Sequence, residues 1–285
     1  MLCRTEPKPT HPGLVFFRLC VLGPRSGCRD NRRMELLLVT LAAFFAGLVD
    51  AMVGGGGLIL VPTLFAVFPG THPATLFGVN KGASMWGTGA AALQYARQVR
   101  LPWPALLPAA AVAFAGSLAG AWAVTVVSPD WLRRALPWVL VGVLIYTLVK
   151  KQLGQTHAPR FTGRRETLAL CTLGLTIGFY DGFFGPGTGS FLVFLLVRWL
   201  GYDFLHASAS AKLLNLASNL SAVMLFAWTG HIWWHYALVL AVANVAGSLL
   251  GTRLALRHGS GLVRQVFMVV VSGLILKMLY DAWLS

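Results

Sequence analysis

Four ionisable residues stand inside long apolar stretches of this sequence: Asp50, Lys81, Asp181 and Lys212. A charge in hydrocarbon costs several kcal/mol, so groups placed there are candidates for function. A carboxylate in such a place either pairs with a cation or carries a proton, and an ammonium either pairs or neutralises an incoming anion. The spacing is regular. Each Lys follows its Asp by 31 residues, and each Asp stands four residues before a glycine-rich segment, Gly54-Gly55-Gly56-Gly57 in one case and Gly185-Pro186-Gly187-Thr188-Gly189 in the other. Two roles fit these sets. They are structural ion pairs that neutralise each other at helix breaks, or they surround a central cavity and handle substrate and protons.

The glycine segments collapse helix propensity in the middle of long apolar units. A half-helix starting after Gly57 or Thr188 would direct unpaired backbone N–H groups and the positive end of its dipole into the membrane interior. Gly55, Gly56, Gly57, Gly187 and Gly189 would let an oxyanion approach the backbone closely, with Thr188 and Ser190 adding hydroxyl donors. Asn80 and Ser84 on the next apolar unit, and Asn215, Ser218 and Asn219 on its counterpart, complete a candidate anion site, although hydrogen bonding between helices accounts for any one of them alone. Lys81 and Lys212 supply the positive charge of that site, and Asp50 and Asp181 are its coupling or structural members.

Other chemistries lack their residues. Cys3, Cys20, Cys28 and Cys171 show no metal-ligand spacing. There is no His-Glu-x-x-His, no Gly-x-Ser-x-Gly, and no Gly-Lys-Ser or Gly-Lys-Thr ending to either glycine segment, so hydrolase and P-loop chemistry find no support and neither metal nor cofactor is expected. His231 and His235 read as solvated loop residues.

The elements that must position these residues are membrane helices. Of 285 residues 56% are hydrophobic and 11% charged, well below the roughly one-quarter charged of a soluble domain. Apolar runs such as 36–49, 101–127, 136–149 and 213–228 approach or exceed the ~20 residues of a span. The net charge of +14 comes from Lys and Arg lying between apolar runs, where they face anionic headgroups, and forms no nucleic-acid surface. Trp103, Trp131, Trp138, Trp199, Trp233 and Trp234 fall near span ends as interfacial anchors.

An offset of 131 residues aligns the chain with itself without insertion. Asp50 falls on Asp181, Gly54 on Gly185, Gly56 on Gly187, Lys81 on Lys212, Trp103 on Trp234, and Gly116-Ser117-Leu118 on Gly247-Ser248-Leu249; Gly47 meets Gly178, Gly120 meets Gly251 and Arg133 meets Arg264. Gly57 against Thr188 and Ser84 against Asn215 are not matched, which makes one asymmetric site plausible. The expected organisation is an N-terminal extension at 1–33, disordered or a product of start-site choice with Met34 as the principal start; a first transmembrane repeat at 34–150; a basic cytoplasmic linker at 151–165; and a second repeat at 166–285.

Each repeat reads as four apolar units, in the first 36–68, 72–96, 103–127 and 131–149, giving an all-α membrane protein of about eight spans. As one helix, the first unit would be roughly 50 Å long, well beyond a ~30 Å hydrocarbon core, so it must tilt or break. With four crossings per half, both termini and the linker share the cytoplasmic side. If the broken unit instead folds back as a re-entrant hairpin, each half crosses an odd number of times and the repeats are inverted.

The segments Gly47-Leu-Val-Asp50-Ala-Met-Val-Gly-Gly-Gly-Gly57 and Gly178-Phe-Tyr-Asp181-Gly-Phe-Phe-Gly-Pro-Gly-Thr-Gly-Ser190, with Asn80-Lys81, resemble the sulfite exporter TauE/SafE family over about residues 34–285. The resemblance implies a bacterial inner-membrane permease for sulfite, a sulfonate or another small organic anion. The expected function is therefore a secondary transporter, not an enzyme, whose partners are a small anion, the bilayer and coupling protons, with no nucleic acid. The competing readings are an assembly or sensory subunit through which nothing crosses, and an anion channel.

Overall fold

The structure, a computed structural model, describes residues 27–132, 134–135, 138 and 158–258. Its described elements are α1 (Gly27–Val53), α2 (Gly57–Val67), α3 (Pro73–Gln98), α4 (Trp103–Val126), α5 (Arg164–Phe183), α6 (Thr188–Leu195, continued by a π-helical turn Leu196–Leu200), α7 (Phe204–Trp228) and α8 (Trp234–His258). Four stretches, Met34–Val53, Trp103–Val126, Phe204–Trp228 and Trp234–His258, are long and apolar enough to cross a membrane, while Gly57–Val67 and Thr188–Leu200 are apolar but short. α1 starts at Gly27, so the end of the extension expected to be disordered is helical; residues 1–26 and most of the linker lie outside the described residues.

Side-chain packing fixes the direction of each helix. Val39, Ala43 and Ala46 of α1 share a cluster with Leu60 and Leu64 of α2, which turns back along α1 as a hairpin. Leu36 of α1 packs against the same cluster as Phe68, beyond the end of α2, and Trp233 and Tyr236, whose rings meet that of Phe68. This is the near end of the bundle, where α3 begins. The far end, where α3 finishes, gathers Leu101, Phe161, Leu200, Tyr202 and Phe204. There Ala158 donates to Gly201 O and Arg160 to Leu200 O, so the segment before α5 is fixed at the far end. α5 runs from there until Phe184 joins the near-end cluster with Phe77, Val124 and Phe226, and α6 returns.

The two hairpins thus enter from opposite ends. The start of α1 and the start of α5 do not share a side, contrary to the expectation drawn from four crossings per half. The turn after the glycine break explains the difference: α2 folds back along α1 instead of continuing onward, so the α1–α2 unit enters and leaves at the same end.

Glycines matched in the 131-residue register hold helices of different halves together. On α5, a Cβ at Gly178 would lie 2.6 Å from Ala113 O, and one at Gly182 would collide with Ser117 O; Gly116 and Gly120 of α4 meet Leu175 O and Phe179 O in the same way. In α1 and α8 the counterpart residues do likewise, Gly47 against Asn244 O and Gly251 against Leu48 O, with Asn244 Nδ2 donating to Ala43 O at 3.1 Å and Ser248 Oγ to Gly47 O at 3.2 Å. Such small residues permit backbone approach that larger side chains forbid. α8, from the second half, also packs on α3 at Gly82 and Gly87, with the turn before it against Gly78, and α4, from the first half, packs on α7, where Ser117 donates to Ser218 O at 2.7 Å. Each half therefore lends its fourth helix to the other.

Candidate functional site

Where the hairpins meet, their backbones touch. Gly54 adopts φ +77° and Gly187 φ +80°, a region that favours glycine, and a Cβ on Gly54 would fall inside the backbone of Gly189. Ser190 N donates to Gly54 O at 3.1 Å and Ser190 Oγ to Val53 O at 3.0 Å, while Gly57 Cα faces Pro186. α2 begins at Gly57 behind Gly56, and α6 at Thr188 behind Gly187.

The four charges lie beside this contact, paired across the halves. Lys81 of α3 donates to Asp181 Oδ1 at 2.5 Å, and Lys212 of α7 to Asp50 Oδ2 at 2.7 Å. Asp50 is 7% exposed, Lys81 3%, and Asp181 and Lys212 1% each, so both pairs are buried. The Lys81 side chain lies over Gly185, whose φ of +84° and missing side chain leave room for it.

Each carboxylate has further donors. Asp50 receives Thr88 Oγ1 at 3.3 Å on Oδ2 and Gly56 N at 3.4 Å on Oδ1, and Asp181 Oδ2 receives Ser218 Oγ at 2.5 Å. Thr88 was not among the sequence candidates. It stands seven residues after Lys81, two turns along the same face of α3, and that spacing was the available signal.

Other candidates are placed differently from expectation. The Thr188 hydroxyl donates to Gly185 O at 2.8 Å and that of Ser190 to Val53 O, so neither is a free donor toward an anion in this conformation. The N–H of Ser190 is taken by Gly54, and both Lys ammoniums are neutralised by a carboxylate. Gly55 and Gly189 are both at the hairpin contact, Gly55 against Ser190 and Gly189 against Gly54. Asn80 and Asn215, 4% and 5% exposed, each bury an amide oxygen with no hydrogen-bond partner among the described residues. Buried polar atoms are ordinarily satisfied, so these two oxygens are available acceptors, Asn80 adjoining Lys81 in the chain and Asn215 standing one helical turn after Lys212. Among the described residues no group of His, Cys, Asp and Glu is arranged to hold a metal.

The sulfite exporter TauE/SafE family matches residues 39–278, which takes in every element of this site. The chain belongs to that family. Among relatives similar to this TauE/SafE chain is a protein of a Sinorhizobium species, "Probable membrane transporter protein ORF9", 35% identical and covering 86% of this chain and 93% of its own. "Probable membrane transporter protein YfcA" of Escherichia coli K12 is 34% identical over 84% of this chain and 88% of its own. A "Probable membrane transporter protein" of Haemophilus influenzae is 32% identical over 86% and 95%. No solved structure matches the chain. The family and its relatives make this a membrane transporter.

Proposed function

We propose that this TauE/SafE chain is a secondary transporter of a small anion, such as sulfite, a sulfonate or a small organic acid, working by alternating access in the bacterial inner membrane. The observation that carries the reading is the meeting of two oppositely entering hairpins over two buried Asp–Lys pairs exchanged between the halves. With its cation neutralised, each pair is a closed lock. Protonation of a carboxylate releases its Lys, and an anion takes the carboxylate's place, so that no net charge is buried in either state. The α2 and α6 N-termini add the positive ends of their dipoles, and the amide oxygens of Asn80 and Asn215 accept from a donor on the substrate.

The hairpins also set the orientation proposed here. Arg97, Arg100, Arg160, Arg164, Arg165, Arg198, Arg253 and Arg257 fall at the far end, against Arg32, Arg33 and Arg134 at the near end. Basic residues concentrate in the cytoplasm, which puts the far end inside and the start of α1 outside. The repeats are then inverted, with the exchanged pairs near the midplane.

The test is flux of sulfite, a sulfonate and small carboxylates into proteoliposomes carrying the wild type, Lys81→Ala or Lys212→Ala. The transporter reading expects flux of at least one anion that collapses in both variants. Unchanged flux in folded Lys variants would remove these residues from the mechanism. No flux of any anion, with a partner protein co-purifying, would favour the assembly subunit.

A further inference from the structure

We infer that Asp50 is the carboxylate that exchanges the coupling proton, while Asp181 stays ionised as a fixed partner of Lys81. This rests on the transport reading above and assigns one proton to the cycle, at one of two positions that the 131-residue register makes equivalent.

The surroundings of the two are not equivalent. Asp181, its side chain 2% exposed, has a strong donor on each oxygen, Lys81 on Oδ1 at 2.5 Å and Ser218 Oγ on Oδ2 at 2.5 Å. Short bonds to an ionised group are the strong ones and hold it ionised. Asp50, its side chain 10% exposed, has Lys212 at 2.7 Å and Thr88 at 3.3 Å on the same oxygen, Oδ2. Among the described residues its Oδ1 has only Gly56 N at 3.4 Å, beyond the usual ~2.7–3.2 Å of an N–H···O bond. Oδ1 of Asp50 is therefore the least satisfied carboxylate oxygen of the cluster, and Asp50 is the more accessible residue.

The difference has a sequence origin. Ser218 falls on Gly87 in the register, so the first half has no hydroxyl at that position; Thr88, which serves Asp50 from one residue further on, falls on Asn219. The charged and titratable groups that face Asp50 are Lys212 on α7 and, on α3, Lys81 and Tyr95, whose hydroxyl donates to Ala51 O at 2.9 Å; Arg97, His206, Arg253 and Arg257 stand toward the far ends of α3, α7 and α8. None is a second carboxylate competing for the proton.

The step balances. A proton adds to Oδ1 of Asp50, the carboxylate becomes a neutral carboxylic acid, and Lys212 keeps its positive charge without a partner. An anion entering beside Lys212 restores neutrality. Proton and anion leave together when Asp50 re-forms its bond to Lys212. Either one alone would leave an uncompensated charge in the core, which couples the two movements.

The experiment is infrared difference spectroscopy of the reconstituted protein, carboxyl-labelled with ¹³C-aspartate, through a pH titration. The protonated-acid C=O band that grows on acidification, to which Asp30, Asp130, Asp203 and Asp281 also contribute, should contain a component that is lost in Asp50→Asn and present in Asp181→Asn. In Asp50→Glu, which keeps a carboxyl there, that ¹³C component should vanish while an unlabelled glutamic-acid component appears. A band unchanged in Asp50→Asn, or one that loses a component only in Asp181→Asn, overturns the assignment. Sulfite flux measured on the same wild-type preparation separates the two claims: flux with the band on Asp181 overturns the assignment alone, whereas the band on Asp50 with no flux of any tested anion supports the assignment and overturns the transport reading.

Discussion

Replacing Lys212 with methionine removes the ammonium 2.7 Å from Asp50 and leaves a carboxylate whose remaining donors, at 3.3 and 3.4 Å, are weak. Losing one partner of a buried ion pair costs about 3–5 kcal/mol, and the poor substitutes around Asp50 put this variant at the upper end. Lys81→Met falls at the lower end, because Asp181 keeps Ser218 at 2.5 Å. Melting temperatures fall roughly 2–4 °C per kcal/mol in chains somewhat smaller than this one, so Lys212→Met should lower the melting temperature in detergent by on the order of 10 °C. Neutralising both members of a buried pair is close to neutral, so Asp50→Asn should restore most of the loss in Lys212→Met, and Asp181→Asn most of that in Lys81→Met. The crossed doubles, Asp50→Asn with Lys81→Met and Asp181→Asn with Lys212→Met, should show no such recovery. Fluorescence-detected size-exclusion melting of the four doubles reads this directly. Recovery within each half, with Asp50→Asn rescuing Lys81→Met, would refute the exchanged pairing.

Gly54→Ala, at φ +77° with its Cβ inside the Gly189 backbone, should cost roughly 2–5 kcal/mol from left-handed strain and overpacking, whereas Gly70→Ala, with nothing within 4 Å, should be near neutral in the same melt. With the native cysteines replaced, Thr162→Cys should react with an impermeant maleimide only from the cytoplasm and Gly70→Cys only from the periplasm; both reacting from one side would overturn the hairpin topology. His231, in the turn between α7 and α8, is stacked on His72 with ring centroids 5.2 Å apart, and burial first, then His72, holds its pKa below the ordinary 6.5. Folding favours its neutral form, so its contribution is complete above pH 6.5 and is lost as the pH falls through the lowered value. Melts from roughly pH 7.5 to 5 should show a decline that His231→Gln flattens, and an equal slope in that variant would exclude the pair as its source.

The 131-residue register made the central residues legible: it singled out Asp50, Lys81, Asp181 and Lys212 and the glycines where α2 and α6 begin. It could not show which charges touch. A register pairs equivalent positions, and Lys81 meets Asp181 because opposing hairpins bring α3 of one half against α5 of the other. The direction of the hairpins was equally hidden, since some 33 apolar residues are too many for one span and too few for two. Packing of Val39 and Ala43 against Leu60 and Leu64 decides it, and those contacts depend on tertiary arrangement. Gly47, Gly116, Gly178 and Gly247 coincide in that register, but the spacing does not declare what they do, which is to let helices approach closely. Thr188 and Ser190 look like anion donors in sequence; hydrogen bonds to Gly185 and Val53 occupy them in the folded chain.

Alternating access is tested most directly by counterflow. Proteoliposomes preloaded with unlabelled sulfite, or with whichever anion shows flux, are diluted into a trace of the labelled anion, and internal label is followed over time. A carrier that presents its site to one side at a time predicts a transient overshoot of label above equilibrium, abolished in Lys81→Ala and Lys212→Ala. A monotonic approach to equilibrium with no overshoot, at a rate indifferent to preloading, would contradict the account and indicate an open pathway.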